Sequence, residues 1–96
     1  MQKIEFNLPD IDPLRKSQMD DRVIHAESED AKYFLYDDAM SIVGRRFVAL
    51  LNLQKLKAPE IIVDFSKQNL VCAMYLFEKI QGIIKELHKQ EEKAQV

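Results

Sequence analysis

Ninety-six residues, 47% of them apolar and 31% charged, make one small folded domain and exclude both a disordered chain and a pair of ordinary domains. Fourteen Lys and Arg against sixteen Asp and Glu leave a net charge of −2, the wrong sign for a nonspecific nucleic-acid binder, which is usually basic. The single cysteine, Cys72, excludes an internal disulfide and a zinc site built on paired thiolates.

At the start of the chain Ile4, Phe6 and Leu8 alternate with Lys3, Glu5 and Asn7, the period-two pattern of a short half-buried strand or an extended arm. Pro9 ends it. No continuous apolar leader opens the sequence. The longest apolar run, Leu70 to Phe77, has eight residues, against the ~20 that a membrane span requires. The expected address is therefore cytoplasmic.

Asp12-Pro13 predicts a helix start, with Asp as N-cap and Pro at the first helical position. The helix would run from Leu14 to about His25. Its apolar residues are sparse (Leu14, Met19, Val23 and Ile24), so it should dock weakly. Residues 1–28 thus read as an N-terminal arm with a weak short helix, and residues 29–96 as a helical hairpin domain. Ser28 is a fair N-cap for the second helix, with Glu29 and Asp30 in the first turn, where the helix dipole favours them.

Residues 29 to about 57 contain no proline and one glycine. At about 100° per residue, Asp30, Asp37, Asp38, Ser41, Arg45, Asn52 and Lys55 form one narrow polar strip. The remaining arc carries Tyr36, Ala39, Met40, Val43, Phe47, Leu50 and Leu53. It is nearly twice the ~100° stripe that a surface helix buries, so this helix is expected to be central to its assembly. Arg46 projects into that arc. It reads as a pairing residue in an oligomer interface, as a contact to a ligand phosphate, or as a long side chain bent to the rim.

Lys57-Ala58-Pro59-Glu60 is the clearest break. Glu60 to Phe65 holds three β-branched residues in a row and suits either a strand or a helix. Helix is preferred, with Pro59 in the first turn and Ser66 recapping a second helix. The strand alternative would pair this run with residues 3–8. From Lys67 to about Glu92 a helix is predicted, with Leu70, Ala73, Leu76, Phe77, Ile80, Ile84 and Leu87 along one face and Gly82 in its solvent arc. The fold class is all-α, a helical hairpin or bundle with an extended N-terminal arm. The alternative is α+β with a short N-terminal strand.

Charge divides the chain. Residues 1–30 carry four basic and eight acidic side chains, and residues 31–58 carry five basic and two acidic. The first third is therefore expected to lie against the second.

No catalytic constellation emerges. His88 with Glu91 or Glu92 offers two metal ligands and no third, and His25 stands apart. Cys72 has only apolar neighbours, unlike a nucleophile. Asp20-Asp21 and Asp37-Asp38 are carboxylate pairs, but Asp37 meets Ser41 and Arg45 at i, i+4 spacing, an ordinary surface pairing. Neither an enzyme activity nor a metal or cofactor is expected. The sequence reads as a small non-catalytic protein–protein interaction module: a homodimeric helical bundle, or the small partner or adaptor subunit of a larger protein. Leu70 to Phe77, apolar around the whole helix, suggests a shared interface. The expected contact residues are Phe6, Leu8, Arg46, Leu50, Leu53, Val71, Met74 and Tyr75. The alternative is a dimeric DNA-binding regulator, ribbon-helix-helix-like or helix-turn-helix, meeting nucleic acid through Lys3, Asn7, Arg45, Lys55 and Lys57.

Overall fold

A computed structural model describes residues 7–94 as three helices, α1 Pro13–His25, α2 Glu29–Lys55 and α3 Glu60–Ala94, with no strand among the described residues. The all-α class is as expected. The anticipated strand at residues 3–8 lies mostly outside the described residues, and Asn7 and Leu8 are not in a strand.

Local chemistry sets each helix boundary. Asp12 caps α1, its carboxylate accepting from the backbone N–H of Leu14 at 2.8 Å and of Arg15 at 3.4 Å, with Pro13 in the first turn. Ser28 caps α2 by accepting from the Ala31 N–H at 3.0 Å. At its far end the Ala58 N–H donates to the Leu53 carbonyl at 3.0 Å and the Lys57 N–H to the Gln54 carbonyl at 3.1 Å, the paired closure of a Schellman turn. The turn requires a left-handed residue, and Lys57 occupies that position with φ 54°. A side chain there costs ~1 kcal/mol or more. Lys57→Gly is therefore expected to raise stability by about 1 kcal/mol, read as a higher denaturant midpoint at unchanged slope.

The Glu60–Phe65 run is helical, and it does not stop at Ser66. The carbonyl of Pro59 accepts from the N–H groups of Ile62 and Val63, and α3 then continues unbroken for 35 residues. Ser66 is a small, buried mid-helix residue rather than a second cap.

The central helix is α3, not α2. One flank of α3 packs along the antiparallel α2, and another carries α1, which runs parallel to it. Leu35 and Ala39 of α2 meet Leu76, Ile80 and Ile84 of α3, with Ala26 closing the end and Met19 and Val23 of α1 packed alongside. Nearer the α2–α3 turn the buried residues are Leu50, Leu70 and Ala73. Tyr36 stacks on Phe77 with ring centroids 5.3 Å apart.

Helix α1 docks through polar bonds more than through its few apolar residues. The Tyr75 hydroxyl donates to the Asp20 carboxylate at 2.6 Å, and Lys79 pairs with the same carboxylate. The hydrogen bond from Lys79, joined by that from Tyr75, holds the Asp20 carboxyl below its usual range. The amide of Gln68 grips the segment leading into α1 at two points. It accepts from the Asp12 N–H at 3.0 Å and donates to the Asp10 carbonyl at 3.1 Å.

Ion pairing does not follow segment charge. Among the described residues, Arg22 of the acidic segment pairs with Asp38 of the basic one at 3.2 Å, and Asp20 pairs with Lys79 of α3.

Two helices side by side with a third on one flank make an elongated slab. Its extents are 55 × 32 × 19 Å, and its radius of gyration of 16.2 Å exceeds the ~12.5 Å of a compact 96-residue domain. The chain exposes 7224 Å², about a quarter more than the ~5,700 Å² of a compact monomer of this mass. No helix among the described residues is long and apolar enough to cross a membrane.

Candidate interaction surface

Exposed apolar side chains occur at several places on the fold: Ile24 (68% exposed) and Phe34 (75%) stand on either side of the α1–α2 connection, and a larger group lies at the end of the α2–α3 hairpin. Leu56 is 79% exposed, Ile61 78% and Phe65 60%, and Ile62 and Leu14 are exposed with them. The geometry explains why. Helix α1 starts at Pro13, beside Phe65 and Gln68, and runs away from the turn. It therefore covers the α2–α3 groove only beyond that point, and the first turns of α3 go without its cover. Leu53, one of the expected contact residues, is half-buried there.

A second apolar strip runs along α2. With Asp38 facing α1 and Leu35, Ala39 and Leu50 facing α3, the 100° step places Met40, Phe47 and Leu51 on the flank opposite Asp38. Met40 and Phe47 are exposed and Leu51 is half-buried, while Val48, also exposed, stands about 80° round the helix from Met40.

The other expected contact residues have different fates. Leu50 has no accessible surface at all and belongs to the chain's own core, which corrects its placement at an interface. Arg46 is also used internally: half-buried and without an ion pair among the described residues, it donates to the Asn69 carbonyl at 2.7 Å. Val71, Met74 and Tyr75 are half-buried, and Leu8 and Ile11 line with them a cleft of about 250 Å³. The segment preceding α1 thus covers this part of α3 in the same chain, and Tyr75 is further tied to Asp20. Phe6 lies outside the described residues.

Arg45, Lys55 and Lys57 are exposed but do not gather. Arg45 and Lys55 are about 15 Å apart along α2, and Lys57 sits in the turn. Asn7 shares the lining of a surface cleft with Asp64 and Lys67 of α3. Lys3 is outside the described residues.

A polar cluster closes the opposite end of the hairpin. Tyr33 Oη and His88 Nε2 are hydrogen-bonded at 2.7 Å. The carboxyl of Glu29 shares a hydrogen bond with that of Glu91, and the bond and charge of Glu91 raise it above the usual carboxylate range. Burial and the charges of Glu91 and Glu29 push the Tyr33 phenol up. Among the described residues no group of three His, Cys, Asp or Glu side chains is arranged to hold a metal ion.

The sign of the Glu29 shift fixes a pH dependence. A carboxyl raised in the fold adds stability below its unfolded value of 4.5, and that contribution is lost as pH rises through the folded value. Glu91→Gln removes the repelling charge. It is expected to raise the melting temperature at pH 7, with the gain shrinking to nothing as the solution is acidified below 4.5.

No protein-family model, curated protein or solved structure matches this chain.

Proposed function

We propose that this chain is a small non-catalytic protein–protein interaction module that works as a homodimer, two copies meeting through the ends of their α2–α3 hairpins. The observation that carries this reading is the group of large apolar side chains at that end, led by Leu56, Ile61 and Phe65, each more than half exposed. Contiguous exposed apolar surface beyond a few hundred Å² is uncommon on a soluble monomer and marks interaction sites.

A second copy suits the surface because a two-fold axis lets one self-complementary patch serve both partners, the commonest arrangement among soluble oligomers. A reducing, cytoplasmic setting suits Cys72, a lone buried thiol.

Molar mass by light scattering across a concentration range tests the proposal. Twice the chain mass at micromolar concentration supports it. A single-chain mass throughout the range overturns the homodimer.

A further inference from the structure

We infer that the cleft where the three helices meet is a binding site for a phosphate group, held between the guanidinium groups of Arg15 and Arg46. The cleft lies between α1, α2 and α3, has a volume of about 180 Å³, and is lined by Arg15, Gln18, Met19, Arg46, Asn69 and Cys72. That volume is about six times the share of one water in the liquid, enough for a phosphate and the first atoms that carry it. It adjoins the hairpin end proposed as the dimer contact, since Arg15 lies over Phe65, but the inference does not rest on that proposal.

Both arginines are fixed on one residue. Arg46 Nη1 donates to the Asn69 carbonyl at 2.7 Å, and Arg15 Nη1 donates to the Asn69 side-chain Oδ1 at 2.9 Å. Two hydrogen bonds and the span of one asparagine hold the guanidinium groups within about 10 Å of each other. Arg15 is also set over the Phe65 ring, its Cζ 5.1 Å from the centroid, so its plane is positioned before any ligand arrives.

Among the described residues the ion pairs are Arg22–Asp38 and Lys79–Asp20, so neither Arg15 nor Arg46 is ion-paired there, and no carboxylate of the described residues lines the cleft. Two half-buried like charges repel, and a guanidinium has five N–H donors, of which these bonds use one apiece. Asn69 and Gln18, whose side-chain amides carry N–H donors, also line the cleft. An oxyanion is the group that such a donor-rich, acid-free cleft complements, and arginine meets phosphate in a bidentate geometry. Near pH 7 a phosphate monoester carries between one and a half and two negative charges, matching the pair, whereas a carboxylate carries one.

The test uses the full chain, labelled with nitrogen-15, titrated at constant ionic strength with inorganic phosphate in one arm and O-phosphoserine in the other. The readout is the Nε–Hε resonances of Arg15 and Arg46 and the Asn69 side-chain amide. Saturable shifts confined to these groups are expected, with Arg15→Gln and Arg46→Gln each weakening binding about tenfold or more and Arg45→Gln, an exposed neighbour, leaving it unchanged. Tighter binding of phosphoserine identifies a phosphorylated organic ligand, and equal binding identifies the free ion. Shifts that grow linearly without saturation, or an equal loss in Arg45→Gln, overturn the inference. If Arg46→Gln loses helix content, Arg15→Gln decides, because its bond lies at the end of a side chain and not on the backbone of α3.

Discussion

Ile61→Glu is expected to turn the dimer into a monomer without loss of helix. Ile61 is 78% exposed in the single chain, so its replacement removes almost no packing within the fold. It also stands in the first turn of α3, where an acidic residue is favoured by the helix dipole. Any loss of association therefore reports the interface alone. Burying an unpaired carboxylate in an apolar contact costs several kcal/mol, which corresponds to a weakening of at least about a hundredfold. Leu56→Lys makes the same test from the other side of the turn, its cation placed where the C-terminus of α2 favours one. Light scattering and far-ultraviolet circular dichroism on the same samples check both. A dimer that survives either charge places the contact elsewhere, and the strip through Met40 and Leu51 becomes the surface to test.

The boundaries of the fold are legible in the sequence because each rests on chemistry within a few residues. Asp12 and Ser28 cap through their own side chains, Pro13 sits where a missing N–H costs nothing, and Pro59 marks the restart. The Glu60–Phe65 run is ambiguous for a physical reason. Its three β-branched residues suit a strand in isolation, and only continuity with the long apolar face of α3 decides for helix. Ser66 misleads because a serine after an apolar run can cap, whereas here it is a small side chain at a buried mid-helix position.

The identity of the central helix is less legible. The width of the apolar arc on α2 correctly signals more surface than one neighbour covers, yet it cannot say which helix lies between two others. That depends on α1, whose four scattered apolar residues predict weak docking. Tyr75, Lys79, Gln68 and Asn69 supply the missing attachment through bonds that span 54 to 59 residues of sequence. No local spacing announces such pairs. The same limit applies to Arg46: an arginine in an apolar arc signals a partner, but the partner is a backbone carbonyl of α3, which no side-chain pattern encodes.

Leu50→Ala separates the core from the surface. Leu50 and Ile61 are both large aliphatic residues near the hairpin turn, and an apolar pattern alone treats them alike. In the fold one has no accessible surface and the other is almost fully exposed. Leu50→Ala is therefore expected to cost about 3 kcal/mol, within the range for a buried Leu emptied to Ala. That is a drop in melting temperature on the order of 10–20 °C for a domain of this size. The concentration dependence carries the distinction. A cavity inside one chain weakens that chain, so the gap between Leu50→Ala and the parent stays the same from dilute to concentrated solution. Ile61→Glu gives the opposite pattern: its gap from the parent opens as concentration rises, because only the parent gains stability by mass action. Melts of both variants at several concentrations check the pair. A Leu50→Ala gap that widens with concentration would return Leu50 to the interface.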